Sequence, residues 1–163
     1  LGRQVAEALE YVYEQKYIHL DVCPRNFIYE TGTGNVKLID CGLSLPARPE
    51  FMTPGNRTGT PLYMAPEVVR RRATDQRLDI FAMGVSAFQI CTYEMPWPIV
   101  ETTGQAALAH DTQVPRDVLE YRPTLNRTLA KAIMRCMAPK PNDRPATVTE
   151  FLRTIRTVER DDE

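Results

Sequence analysis

Residues 78–93 are apolar nearly all the way round a helical wheel: Leu78, Ile80, Phe81, Met83, Val85, Phe88 and Ile90 leave no broad polar stripe. A helix without a polar face has to be enclosed, so the rest of the chain must cover it on every side. A bilayer cannot do so. Spanning one takes about 18 uninterrupted apolar residues, and the best stretch, 80–91, is shorter and contains Ser86 and Gln89. The expectation is a central buried helix in a soluble domain, which 163 residues with 43% hydrophobic content are enough to build.

The cover is visible as periodicity. Leu1, Val5, Ala8, Leu9 and Val12 predict a helix over residues 1 to about 15. Leu125, Leu129, Ile133 and Met137 predict another, and Thr147-Val148-Thr149-Glu150 reads as a capping box opening a last helix with Phe151, Leu152, Ile155 and Val158 on one face. Phe27-Ile28-Tyr29 and 36–39 flank Thr31-Gly32-Thr33-Gly34-Asn35, a hairpin signal. Residues 40–64, with Pro46, Pro49, Pro54, Pro61 and three glycines, read as a long loop, and such loops are usually functional. Prolines 96, 98, 115 and 123 break up the next stretch, leaving room for a short helix near 103–109, and 159–163 reads as a charged tail. No repeat or linker divides the chain. The predicted class is mainly α with one small β-hairpin.

Twenty Lys and Arg against 21 Asp and Glu give a net charge of −1, without the basic excess of a nucleic-acid binder. Cysteines 23, 41, 91 and 136 have no zinc-ligand spacing, and His19 and His110 lie far apart. Disulfides find no support, and a reduced cytoplasmic setting fits better. The chain opens with Leu1-Gly2-Arg3, without Met and already inside a helix pattern, so a fragment of a longer protein is expected.

Three motifs then follow in one order: Tyr17-Ile18-His19-Leu20-Asp21-Val22-Cys23-Pro24-Arg25-Asn26 between a helix and a strand, Leu38-Ile39-Asp40-Cys41-Gly42 at the end of the next strand, and Gly59-Thr60-Pro61-Leu62-Tyr63-Met64-Ala65-Pro66-Glu67 beyond the long loop. Taken singly each has a plainer reading. An Asp after a strand is most often a turn former or cap, His19 a packed structural histidine, Arg70-Arg71-Arg72 a solvated helix end before an acidic-substrate site, and Phe81, Phe88 and Trp97 core. Together, with Asp79, Gly84 and Arg144 in register, they resemble the C-terminal lobe of a eukaryotic-type serine/threonine protein kinase, a family whose bacterial members are one candidate source.

The resemblance covers essentially all 163 residues and gives a domain of 1–158. It implies ATP and Mg²⁺ as cofactors and a protein substrate with a Ser or Thr acceptor. Phosphoryl transfer depends on positioning and charge stabilisation. The resemblance casts Asp21 as the catalytic base and Asp40 and Asn26 as Mg²⁺ ligands that hold the nucleotide. Thr60 would bond near Asp21 in the acceptor platform. The structural positions would be His19 buttressing the catalytic loop, Asp79 bonding its backbone amides, and Glu67 paired with Arg144.

Departures from the family pattern matter too. Leu20 stands where many kinases carry an Arg that grips a phosphorylated loop, which argues against switching at Thr53 or Thr58. Cys41 replaces a packing Phe. Cys23 stands where serine/threonine kinases place a Lys facing the transferred phosphate, while Arg25, four after Asp21, matches tyrosine kinases and could supply the charge or merely pair with a surface acid. Thr60 favours Ser/Thr acceptors. The alternative function is a pseudokinase or scaffold binding a protein partner. No Gly-rich loop, strand lysine or partnering helix glutamate occurs in these residues, so the N-terminal lobe is expected upstream and the fragment alone is expected to be inactive.

Overall fold

The computed structural model describes residues 1–52, 59–98 and 106–161, with side chains to residue 158. Thr53 and Thr58 lie outside the described residues. The fold is mainly helical with two small two-stranded sheets.

Helix α1, Gly2–Glu14, buries Val5, Ala6 and Leu9. Strand β1, Tyr17–Ile18, leads through a short 3₁₀ turn, Pro24–Asn26, into the hairpin of β2, Phe27–Glu30, and β3, Asn35–Leu38. Gly34 closes that hairpin at φ 72°, with its N–H on Glu30 O at 2.8 Å. The stretch read as a long loop holds more structure than expected. Its strand β4, Leu45–Pro46, pairs antiparallel with β1 (Ile18 opposite Leu45), and α2, Pro49–Met52, follows. Two-residue strands have no period to read, and Pro46 hid this one.

Helices α3, Pro66–Val69, and α4, Arg77–Thr92, lead to a 3₁₀ turn at Ala106–His110, where a helix near 103–109 was expected; residues 99–105 are not described. Then come α5, Val118–Tyr121, α6, Arg127–Cys136, and α7, Val148–Asp161, which carries helical backbone into the predicted tail. Among the described residues no helix is long and apolar enough to cross a membrane.

Helix α4 is enclosed as its sequence demands. Phe81, Val85 and Phe88 enter one apolar cluster with Ile18, Trp97, Val118, Ile133 and Met137. Ile80, Ala82 and Met83 enter a second with Val5, Leu9, Cys136, Phe151 and Leu152. Burying side chains such as Phe81 and Phe88 contributes about 1.5–3 kcal/mol each. A Cβ on Gly84 would lie 2.6 Å from Cys136 Cβ, so this glycine sets how closely α4 and α6 approach.

The caps are partly as predicted. Thr147 Oγ1 accepts from the Glu150 N–H at 3.2 Å, but the Glu150 carboxylate accepts from the Ala146 N–H at 2.9 Å and from Arg135 at 2.6 Å, so the box does not close on Thr147. The reciprocal box is at Asp117 and Glu120, opening α5. Asn126 Oδ1 accepts from the Thr128 N–H to open α6.

Candidate active site

The first motif is held from beneath by α4. Asp79, fully buried in its first turn, accepts the His19 N–H on Oδ2 at 2.8 Å and the Leu20 N–H on Oδ1 at 2.9 Å. Tyr13 donates its hydroxyl to the same Oδ2 at 3.1 Å and lies 3.2 Å from Gln76 O. Burial pushes the Asp79 carboxyl up, and the two amides oppose that by favouring the anion. These bonds fix a loop whose Leu20 sits at φ 70°, a conformation a non-glycine residue rarely holds unaided.

His19 ties the first motif to the second. It is fully buried; Nδ1 accepts the Asp21 N–H at 3.2 Å, which assigns the ring proton to Nε2, 3.1 Å from Ile39 O. The Ile39 N–H in turn donates to Asn26 O at 2.9 Å. The chain leaves β3 through these bonds and delivers Asp40 at φ 60°, with an exposed carboxylate whose Oδ1 accepts the Gly42 N–H at 3.3 Å.

The five-residue step from Asp21 to Asn26 is closed by the 3₁₀ turn. It brings Asn26 Nδ2 to 2.7 Å from Asp21 O and 3.2 Å from Asp21 Oδ2. With its nitrogen committed, Asn26 has its side-chain carbonyl oxygen to offer a cation. Asp40 adds a carboxylate, and oxygen donors of this kind suit Mg²⁺.

The third motif closes on the first. A Cβ on Gly59, at φ 114°, would lie 2.8 Å from Leu20 O, so only glycine permits this approach. Thr60 then donates its hydroxyl to Asp21 Oδ1 at 2.8 Å and accepts from Arg25 Nη2 at 3.2 Å. Arg25 Nη2 also lies 3.8 Å from Asp21 Oδ2, and its side chain is 72% exposed. Asp21 thus has a partner on each carboxylate oxygen. Cys23, by contrast, is only 1% exposed, and burial pushes its thiol up. It is a packing residue beside Thr60. Cys41 is exposed, and Leu20 packs against the core.

Glu67 and Arg144 form the expected buried pair. Arg144 donates to both Glu67 oxygens, at 2.7 and 2.8 Å, and to the carbonyls of Ala138, Pro139 and Arg77. It also lies 4.9 Å over the Phe81 ring. With every donor group engaged, the charge is compensated where it is buried.

Two residues outside the predicted set support the site. His110 is buried, stacked 4.3 Å from Trp97, and donates Nδ1–H to Met64 O at 2.7 Å, which holds the end of the third motif. Tyr13 supports Asp79. Neither stands in a sequence pattern of its own. His110 follows a stretch without periodicity, and Tyr13 reads as one more position on an amphipathic helix.

Comparison with known proteins agrees with the geometry. A family model described as the protein kinase domain matches residues 1–154. The serine/threonine-protein kinase Pkn1 of Myxococcus xanthus is 32% identical over 94% of this chain and 23% of its own length. The tyrosine-protein kinase MasK of Myxococcus xanthus is 35% identical over 86% of this chain and 22% of its own. The mitogen-activated protein kinase kinase kinase 1 of Arabidopsis thaliana is 31% identical over 92% and 24%. The chain spans about a quarter of the length of these curated relatives.

Proposed function

The chain belongs to the protein kinase domain family, and from that premise we propose that it is the C-terminal lobe of a serine/threonine protein kinase that transfers the ATP γ-phosphoryl group to a protein hydroxyl. The observation that carries the proposal is the bond from Thr60 to Asp21 Oδ1, which holds a platform hydroxyl against the expected base. In this reading Asp21 orients the acceptor hydroxyl and takes its proton as the phosphoryl group is transferred. Asn26 and Asp40 hold Mg²⁺, which when bound offsets phosphate charge. Arg25, the cation beside Asp21 and Thr60, stabilises charge on the transferred group in place of the absent lysine. His19 and Asp79 keep the loop in shape, and Glu67 with Arg144 anchors the third motif.

Among the relatives described above, one is named a serine/threonine-protein kinase and one a tyrosine-protein kinase. Thr60 favours the first class here, because the resemblance places a threonine in the serine/threonine acceptor platform and its hydroxyl bonds Asp21. The same reading includes a reduced cytoplasmic setting.

The test uses the protein extended by its N-terminal lobe. Asp21→Asn and Asp40→Asn should each lower phosphorylation of a serine peptide by several orders of magnitude, since each removes positioning or charge stabilisation. Unchanged melting of both variants would tie the loss to chemistry. Near-wild-type turnover in either would overturn the roles. Transfer to tyrosine alone would overturn the acceptor class, and a wild-type protein without turnover would favour the scaffold reading suggested by Leu20, Cys23 and Cys41.

A further inference from the structure

Beside Ile18, which directly precedes the candidate catalytic loop, lies a cavity of about 520 Å³. Tyr13, Ile18, Ala47, Met52 and Ala73 give it an apolar lining, and Arg48 stands on its wall. Its size falls within the range of about 300–1,000 Å³ usual for small-molecule sites.

The polar groups of the lining are satisfied within the protein, with one exception. Asp75 is held by Arg77, through Nε at 3.0 Å and Nη2 at 2.7 Å. Gln76 donates its side-chain amide to Ala146 O at 3.3 Å, and its backbone carbonyl lies 3.2 Å from the Tyr13 hydroxyl. Arg48 is exposed, and among the described residues its guanidinium has no hydrogen-bond or ion-pair partner. The cavity therefore presents an apolar interior and one uncompensated cation. The complementary ligand has an apolar body and one anionic end, and a guanidinium matches a carboxylate in both charge and shape.

We propose that this cavity binds a small amphipathic carboxylate of the medium-chain fatty-acid type, with the chain against Tyr13, Ile18 and Met52 and the carboxylate on Arg48. The site is linked to the loop that carries Asp21. Ile18 directly precedes His19, and the Tyr13 ring that lines the cavity carries the hydroxyl bonded to Asp79 Oδ2, the atom that accepts the His19 N–H. A ligand that fixes the Tyr13 ring thereby fixes Asp79 and the amides it holds. Binding itself does not depend on the kinase reading, because it needs neither nucleotide nor turnover.

Decanoate, kept below its micelle concentration, is the probe, titrated into the 163-residue chain and followed by NMR. The expected result is saturable shifts of the Ile18 and Met52 methyl groups, with accompanying shifts of the His19 and Leu20 amides. Arg48→Ala should weaken binding about tenfold, as loss of one charge-assisted hydrogen bond does, and decanol should bind wild type with a similarly reduced affinity. Ala73→Phe, which fills the cavity from its rim, should abolish the shifts. Tyr13→Phe should keep the methyl shifts while diminishing those at His19 and Leu20.

Shifts confined to Ile28 and Ile39, exposed residues outside the cavity lining, would mean non-specific association and overturn the proposal. So would binding that survives Ala73→Phe or is indifferent to Arg48→Ala, and so would the absence of binding, as when a neighbouring stretch of the chain fills the space. Methyl shifts without any at His19 and Leu20 would overturn the link to the catalytic loop.

Discussion

Single residues decide whether the candidate site works, and Arg25 is the clearest case. It bonds Thr60 and lies within ion-pair distance of Asp21, while Cys23 is packed out of reach of solvent. In the protein extended by the proposed N-terminal lobe, Arg25→Ala should lower kcat by ~10²-fold, the loss typical of one transition-state donor, with Arg25→Lys retaining part of the rate. A wild-type kcat in Arg25→Ala would leave the arginine as a surface partner of Asp21. Adding Lys at position 23 is a poorer rescue, because its ammonium must leave a buried position beside Thr60.

His110 gives a pH test at the same scale. Burial holds its pKa below the ordinary value, and its bond to Met64 O and the neighbouring Asp111 only partly offset that. Below about pH 6.5 the unfolded chain protonates this histidine while the folded one does not, so folding stability falls as pH drops from there towards the folded-state pKa. Asp79, whose carboxyl is pushed up by burial, works in the opposite sense, so the difference between wild type and His110→Gln is the quantity to measure. Urea unfolding at stepped pH should show a steeper acid-side loss in wild type. Parallel curves for the two proteins would remove His110 from the account.

At the scale of elements, the packing of α4 is the point on which the domain turns. Gly84→Ala places a methyl group 2.6 Å from Cys136 Cβ and 3.0 Å from Met137 Cγ, and Cys136 cannot retreat because it belongs to α6. Helix propensity favours alanine by about 1 kcal/mol, yet overpacking between two helices costs about 1–3 kcal/mol. Net destabilisation in urea is therefore expected, with unchanged far-UV circular dichroism; a stabilised variant would show that the two helices can separate freely.

Elements also divide what the sequence discloses from what it hides. The periodic helices α1, α6 and α7, and α4 with its apolar residues on every side, were legible because their burial pattern is their amino-acid pattern. The hairpin was legible from its glycines. The β1–β4 pair was not, since two residues opposite two others have no period, and Pro46 argued against a strand. The site divides similarly. Asp21, Asn26, Asp40, Thr60, Glu67, Asp79 and Arg144 stand in motifs or at fixed spacings from them. Tyr13 and His110 act through hydrogen bonds to Asp79 and Met64, residues 66 and 46 positions away, a relation only the folded chain reveals.

For the whole molecule, the proposed reading as a C-terminal lobe raises the question of what the 163-residue chain does alone. The hairpin and the segment after Asp40 present Ile28, Ile39 and Leu43 at 47, 38 and 39% exposure, beside the expected nucleotide ligands. Contiguous exposed apolar surface promotes association, so the 163-residue chain should sediment as concentration-dependent oligomers, and Ile28→Lys should shift it towards monomer. The same geometry limits nucleotide binding. Asn26 and Asp40 can hold a cation, but no Gly-rich loop or strand lysine among these residues can cover the base or grip the α- and β-phosphates. Ligand stabilisation grows only as the logarithm of concentration over Kd. If one wall leaves Kd in the millimolar range, millimolar Mg-ATP adds well under about 1 kcal/mol, and the melting temperature should hardly move. The internal core should still melt cooperatively, because α1, α6 and α7, which enclose α4, are all present. A rise of several degrees at micromolar Mg-ATP would mean that this lobe grips the nucleotide by itself, and the one-walled cleft would have to be abandoned.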